Sequence, residues 1–158
     1  MQSTHEHNPA DDVTSERPLD PTMHAPQRRD PTAGLPIEEY RDEIVERVRA
    51  NASTVLIGET GSGKTTKVGG YLLDAFPDAN ICITQPRTLA ATAVAKYVAS
   101  QRGERIGGEV GYATRFEKAQ SNETRLNFST DGLLLAKFRS DPLLSEYDIV
   151  VVDEAHER

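Results

Sequence analysis

Residues 58–65 read "GETGSGKT", and they limit the architecture more than any other stretch of the chain. Gly58, Gly61 and Gly63 allow a tight backbone turn that aims successive N–H groups at an anion. The spacing matches G-x-x-x-x-G-K-[ST], in which the lysine, here Lys64, reaches β- and γ-phosphates and the hydroxyl, here Thr65, ligates magnesium. Glu59, Thr60 and Ser62 complete the loop, and Thr66 follows it. Such a loop works only between a strand and a helix, because the helix start adds the positive end of its dipole. Both neighbours are present in the pattern. "STVLIGE" precedes as a β-branched run, with a strand expected over 54–58, and a helix is expected over Lys64 to Phe76. The segment therefore predicts an α/β protein and a nucleotide site that uses Mg2+.

A second segment supplies the acids that such a site needs. "DIVVVDEAHER" closes the chain, with Ile149 to Val152 reading as a buried strand. Asp153 at its mouth is expected to hold Mg2+, an ion that keeps several of its waters. Glu154 is expected to polarise the attacking water as a general base. His156 is the only histidine after residue 24.

The remaining pattern alternates helices and strands, which predicts a mostly parallel sheet flanked by helices. A helix is expected from Pro36, with Ile37, Tyr40, Ile44, Val45 and Val48 on its apolar face. "NICITQ" reads as a strand and "TLAATAVAKYVASQR" as an Ala-rich helix. "EVGYATRF" and "TRLNFST" read as strands with a polar connection, and "DGLLLAKFRSD" as a short helix ending at Asp141-Pro142. Residues 1–35 contain no Phe, Tyr, Trp or Ile and are rich in proline and acids. That composition predicts a disordered tail, leaving 36–158 as the folded domain. Cys82 is the only cysteine, so it forms no intrachain disulfide, and burial of its thiol is expected.

No apolar run is long enough to span a bilayer and no secretory h-region opens the chain, which suggests a cytoplasmic protein without membrane contact. The formal charge of −7 argues against nucleic-acid binding by bulk charge, while leaving room for a local basic groove.

Five segments together carry a family resemblance: "GETGSGKTT", "TQPRTLAA", "VGYATRF", "STDGLLL" and "VVVDEAHER". In order and spacing they resemble the DEAH-box RNA helicases of helicase superfamily 2, over about residues 35–158. The resemblance implies a RecA-like first domain of the P-loop NTPase class, which couples ATP hydrolysis to movement along single-stranded RNA or a duplex with an overhang. It assigns phosphate and magnesium to Gly61, Gly63, Lys64, Thr65 and Thr66. Asp153 and Glu154 become the magnesium and water-activating acids, with His156 linking the nucleotide site to the motor. Pro86 and Arg87, then Thr130, Asp131 and Gly132, correspond to two segments that grip the RNA backbone. Arg115 and Phe116 correspond to a further RNA-contacting pair. Where the family carries a second Arg after "QPR", this chain has Thr88. Where the family stacks an Arg on adenine, it has Tyr97, whose ring is expected to stack on the base.

The resemblance also implies what lies outside these residues: a Ser-Ala-Thr strand, a second RecA-like domain with arginine fingers, and C-terminal domains. In RecA-like sheets the Ser-Ala-Thr strand sits between the phosphate-loop strand and the DEAH strand. The sequence is thus expected to behave as an N-terminal piece truncated after the DEAH strand. Strands at 54–58 and 148–153 are then expected to face an apolar gap, leaving the isolated chain poorly folded and inactive in unwinding. Two other readings remain open: a nucleotide- or RNA-binding module without catalysis, and a DNA-directed translocase.

Overall fold

The computed structural model describes residues 34–157. The tail predicted over 1–35 lies outside them except for its last two residues, and Leu35 already packs on the core. Pro36–Tyr40 form a 3-10 turn, consistent with the fixed φ of proline at a helix start. Helix α1 follows as Arg41–Ala50. Ile37 and Ile44 are buried, while Val45 and Val48 pack against the core from the same side. Tyr40, predicted on that face, is exposed instead. The tighter 3-10 turn spaces its residues at 3.0 per turn rather than 3.6, which rotates Tyr40 off the α1 stripe.

Helix α2 spans Lys64–Ala75, and strand β1 (Ile81–Gln85) begins after a short turn. Helix α3 (Thr88–Gln101), strand β2 (Val110–Ala113), the two-residue strand β3 (Lys118–Ala119) and strand β4 (Leu126–Thr130) follow. Helix α4 (Asp131–Ser140) and strand β5 (Ile149–Val152) complete the order. The five strands form one sheet in the order β3-β2-β4-β1-β5. All pairs are parallel except the β2–β3 hairpin. Strand β1 lies between β4 and β5 and is buried along its whole length, as expected for a continuous apolar run.

The pleat sends Ile81 and Ile83, Leu126 and Phe128, and Val110 and Tyr112 to one face. Helices α2 and α3 cover that face through Leu72, Leu73, Ala95, Val98 and Ala99. Gly69 brings the α2 backbone onto the sheet, because a Cβ there would lie 2.9 Å from Ile83 Cδ1. The opposite face carries smaller and more polar residues: Cys82, Thr84, Asn127 and Ser129. Helix α4 lies beside it and has no buried residue of its own.

Two strand expectations need correction. The predicted strand at 54–58 is absent: the segment runs as irregular backbone, with Val55 85% and Ile57 89% exposed. A strand exists only through a ladder, and no described strand lies alongside this one. Strand β5 does form, but as a sheet edge, paired only with β1. Its residues therefore alternate in exposure, with Val150 and Val152 facing outward, instead of being buried on both faces. No described helix is long and apolar enough to cross a membrane.

Candidate functional site

The glycine loop has the backbone its sequence demands. Gly61 and Gly63 take φ values of +80° and +97°, a region costly for side chains with a Cβ. Gly63 also abuts the 3-10 turn: a Cβ there would sit 2.7 Å from Leu35 Cδ1. The backbone N–H of Ile37 donates to Ser62 O at 3.2 Å, so residues 35–37 brace the loop from outside. Gly63 leads directly into α2, and Lys64 and Thr65 occupy its first turn. The Lys64 ammonium donates to Gly58 O (2.5 Å), Glu59 O (2.7 Å) and Ser62 Oγ (3.3 Å). It is thereby folded back into the loop it is meant to serve. Thr66 Oγ1 donates to Gly63 O at 3.3 Å. Glu59, Thr60 and Gly61 are exposed, and Thr65 is half-buried. A cleft of about 850 Å³ runs beside the loop, walled by α1 residues such as Ile44 and Arg47 and by Val55 and Ile57.

The sheet then gathers the other candidates. Helix α2 and β1 are joined by a short turn, and Arg125 Nη1, just before β4, donates to Phe76 O at the end of α2. The α2 C-terminus thus lies at the start of the parallel strands, and the phosphate loop lies toward their C-terminal end. Every other candidate except Tyr97 sits at that end too. Strand β2 leads into Thr114, with Arg115 and Phe116 in the turn toward β3. Strand β4 ends in Thr130, with Asp131 and Gly132 opening α4. Strand β1 ends in Gln85, followed by Pro86 and Arg87 at the start of α3. Strand β5 delivers Asp153 and Glu154. Because β2, β4, β1 and β5 are neighbours in that order, three proposed RNA-contact pieces and the acids form one row.

Local geometry along this row suits contact. Thr114 Oγ1 accepts the Glu117 N–H at 3.0 Å and donates to Glu117 O at 3.1 Å, closing the hairpin turn. The turn holds Phe116 80% exposed, with the Arg115 guanidinium 5.8 Å from its ring centroid. An exposed ring beside a guanidinium is a surface on which a base can stack. Arg87 and Gly132 are exposed, and Pro86, Thr130 and Asp131 are half-buried.

The acids are held from two sides. Asp153 N donates to Thr84 O at 3.2 Å, continuing the β1–β5 ladder. Gln85 Nε2 donates to Asp153 Oδ2 at 2.6 Å, and Glu154 N donates to Asp153 Oδ1 at 2.9 Å. Glu154 adopts φ +50°, a left-handed conformation that costs a residue with a Cβ about 1–2 kcal/mol. Its carboxylate lies 3.5 Å from His156 Nε2 on an exposed short turn.

The model of the DEAD/DEAH box helicase family matches residues 38–158, which takes in the loop, the row of strand ends and the acids. The chain belongs to this family. It is 42% identical over 128 residues to a Saccharomyces cerevisiae protein described as "Probable ATP-dependent RNA helicase DHR2". That alignment covers 78% of this chain and 17% of the yeast protein, so the chain spans 17% of the length of this curated relative. DEAD/DEAH box helicases generally use ATP with Mg2+, and the oxygen donors here fit that cation. Magnesium takes one or two protein oxygens besides phosphate and water, and the Thr65 hydroxyl and Asp153 carboxylate are hard donors of this kind.

In this helicase domain Tyr97 lies within α3 rather than at a strand end. It packs its ring against the core cluster. It lies nine positions after Thr88 in α3, about 13 Å along the axis at ~1.5 Å per residue. The row Ala95, Val98 and Ala99 faces the sheet, and an aromatic ring beside that row buries its apolar surface there. Gln85 is the site residue that the sequence reading passed over. It stands inside the quoted "TQPR", but an amide at a strand end signals nothing until its partner, 68 positions away, is known.

Proposed function

We propose that this chain carries the first ATP-binding unit of a DEAH-type RNA helicase. One observation carries the reading: the sheet order brings the RNA-contact candidates and Asp153-Glu154 to one end of the parallel strands, the end from which α2 runs back after the phosphate loop. The Gly61–Thr66 backbone and Lys64 bind the triphosphate, and Thr65 and Asp153 would hold a magnesium ion, which would supply positive charge to offset that of the phosphates. Glu154 accepts the proton of the water that attacks the γ-phosphorus. The bond from that phosphorus to the bridging oxygen breaks, releasing ADP and phosphate. His156, within reach of Glu154, ties this acid to whatever docks on the exposed turn. Arg87, Arg115 and Phe116, with Thr130 to Gly132, grip a single RNA strand through its backbone and one stacked base, which needs no base-edge readout.

The side chains of Val55 and Ile57 are exposed, and among the described residues the segment leading into the phosphate loop has no ladder to hold it. We expect the 158-residue chain to bind nucleotide weakly and to show no unwinding by itself. Binding of the fluorescent analogue mant-ATP tests the reading. Lys64→Ala should abolish binding, whereas Glu154→Gln should retain it and, in a helicase carrying both RecA-like domains, abolish RNA-stimulated phosphate release. Unchanged binding in Lys64→Ala would remove the nucleotide assignment. Phosphate release stimulated by DNA rather than RNA would replace RNA as the substrate, and release indifferent to both would favour a non-catalytic binding module.

A further inference from the structure

Gln85 occupies a position that the nucleotide site has not yet used. Its side chain is almost wholly buried, with the residue only 3% exposed. A buried primary amide destabilises a fold unless its polar atoms are paired. Its Nε2 donates to Asp153 Oδ2 at 2.6 Å, a contact from a neighbouring strand to the acid proposed to hold magnesium. The second carboxylate oxygen, Oδ1, takes the Glu154 N–H. A donor on each oxygen holds the carboxylate plane. This is the arrangement in which an outer partner orients a metal-binding group and tunes its affinity. Gln85 is in turn held in register, opposite Thr130 in β4.

We propose that Gln85 is a positioning residue that sets the Asp153 carboxylate for the magnesium of bound nucleotide. The inference rests on the nucleotide reading above. A neutral amide suits the role better than a cation: it donates to the carboxylate without competing for the metal's charge. It also differs from a purely structural bridge, because its loss should act on metal affinity and not on nucleotide affinity in the absence of metal.

The test titrates Mg2+ into the full chain with mant-ATP and compares the midpoint with mant-ATP affinity in EDTA. Gln85→Leu should raise the Mg2+ midpoint about tenfold or more, in the range typical of outer-shell losses, with binding in EDTA and the circular dichroism spectrum unchanged. A midpoint within about twofold of wild type would overturn the proposal, taking tenfold as the smallest outer-shell loss. Should Gln85→Leu unfold, Gln85→Asn decides. Its amide is one methylene shorter and withdraws from the 2.6 Å contact with Asp153 Oδ2. The Mg2+ midpoint should again rise with binding in EDTA unchanged, and a midpoint within about twofold of wild type would refute the positioning role. Lys64→Ala separates the two failures. If wild type binds no mant-ATP, or Lys64→Ala binds it equally, the nucleotide reading falls and takes this proposal with it. If both controls behave and the Gln85 variants match wild type, only the positioning role is lost.

Discussion

Adjacent glycines in α2 offer a test of how the phosphate-loop helix is seated. Gly69 and Gly70 are both inside the helix, so alanine at either gains about 0.8–1.0 kcal/mol of helix propensity. Their surroundings differ. A Cβ at Gly70 meets nothing within 4 Å, so Gly70→Ala should stabilise by roughly that full amount. A Cβ at Gly69 falls 2.9 Å from Ile83 Cδ1 and 3.1 Å from Leu126 Cδ2. Carbon atoms pack comfortably at about 3.5–4.0 Å, so helix or side chains must give by roughly half an ångström. Ile83 and Leu126 are both buried in the core and cannot swing toward solvent. Forcing one extra carbon into such packing costs about 1–3 kcal/mol. Gly69→Ala should thus range from neutral to about 2 kcal/mol destabilising, and the two variants should differ by about 1–3 kcal/mol. Urea unfolding followed by far-UV circular dichroism reads this gap as a midpoint difference of about 0.5–1.5 M for a slope near 2 kcal/mol/M. Equal stabilisation by the two alanines would refute the close seating of α2 on the sheet. Because α2 carries Lys64 and Thr65, Gly69→Ala should also weaken mant-ATP binding more than Gly70→Ala does.

Two further outcomes concern groups away from the site. Burial raises the Glu109 carboxyl, but hydrogen bonds from Arg125 and Arg102 outweigh it and leave the pKa below its ordinary 4.5. Its stabilising share is present above that value and is lost as pH falls through the lower folded value. Glu109→Gln should cost about 1–3 kcal/mol at neutral pH and flatten the acid limb of the stability profile, as measured by urea unfolding at stepped pH. Burial pushes the Cys82 thiol from 9.0 up to about 12, only partly countered by Lys137 and a hydrogen bond with Tyr147. The folded state holds this proton longer than the unfolded state. Stability should therefore be complete below pH 9 and fall by about 1.4 kcal/mol per unit as pH rises toward 12. Cys82→Ala should lack that component, and equal alkaline slopes for the two proteins would contradict the burial.

Much of this was legible in the residues. Helices α2, α3 and α4 and strands β1, β2, β4 and β5 lie where periodicity and β-branched runs put them. Such signals are local: an apolar stripe or run needs only its own segment to be read. The segment at 53–59 failed for the complementary reason. "STVLI" has the composition of a strand, but composition cannot supply the neighbour that completes its hydrogen bonds. Tyr40 was misplaced because nothing in its spacing distinguishes a 3-10 turn from the first turn of an α-helix.

The residues alone were enough to propose the chemistry. Glycines at 61 and 63 accept positive φ, a lysine and a hydroxyl begin the next helix, and two acids follow an apolar run; each depends on side-chain type and short-range geometry. Only the tertiary structure decided which of them lie together. The order β3-β2-β4-β1-β5 sets Arg115, Thr130, Arg87 and Asp153 along one end of the sheet, and it seats Gln85 against an acid 68 residues away. Strand order arises from long-range pairing and from which faces can be buried, and no window of sequence contains both partners of such a pair.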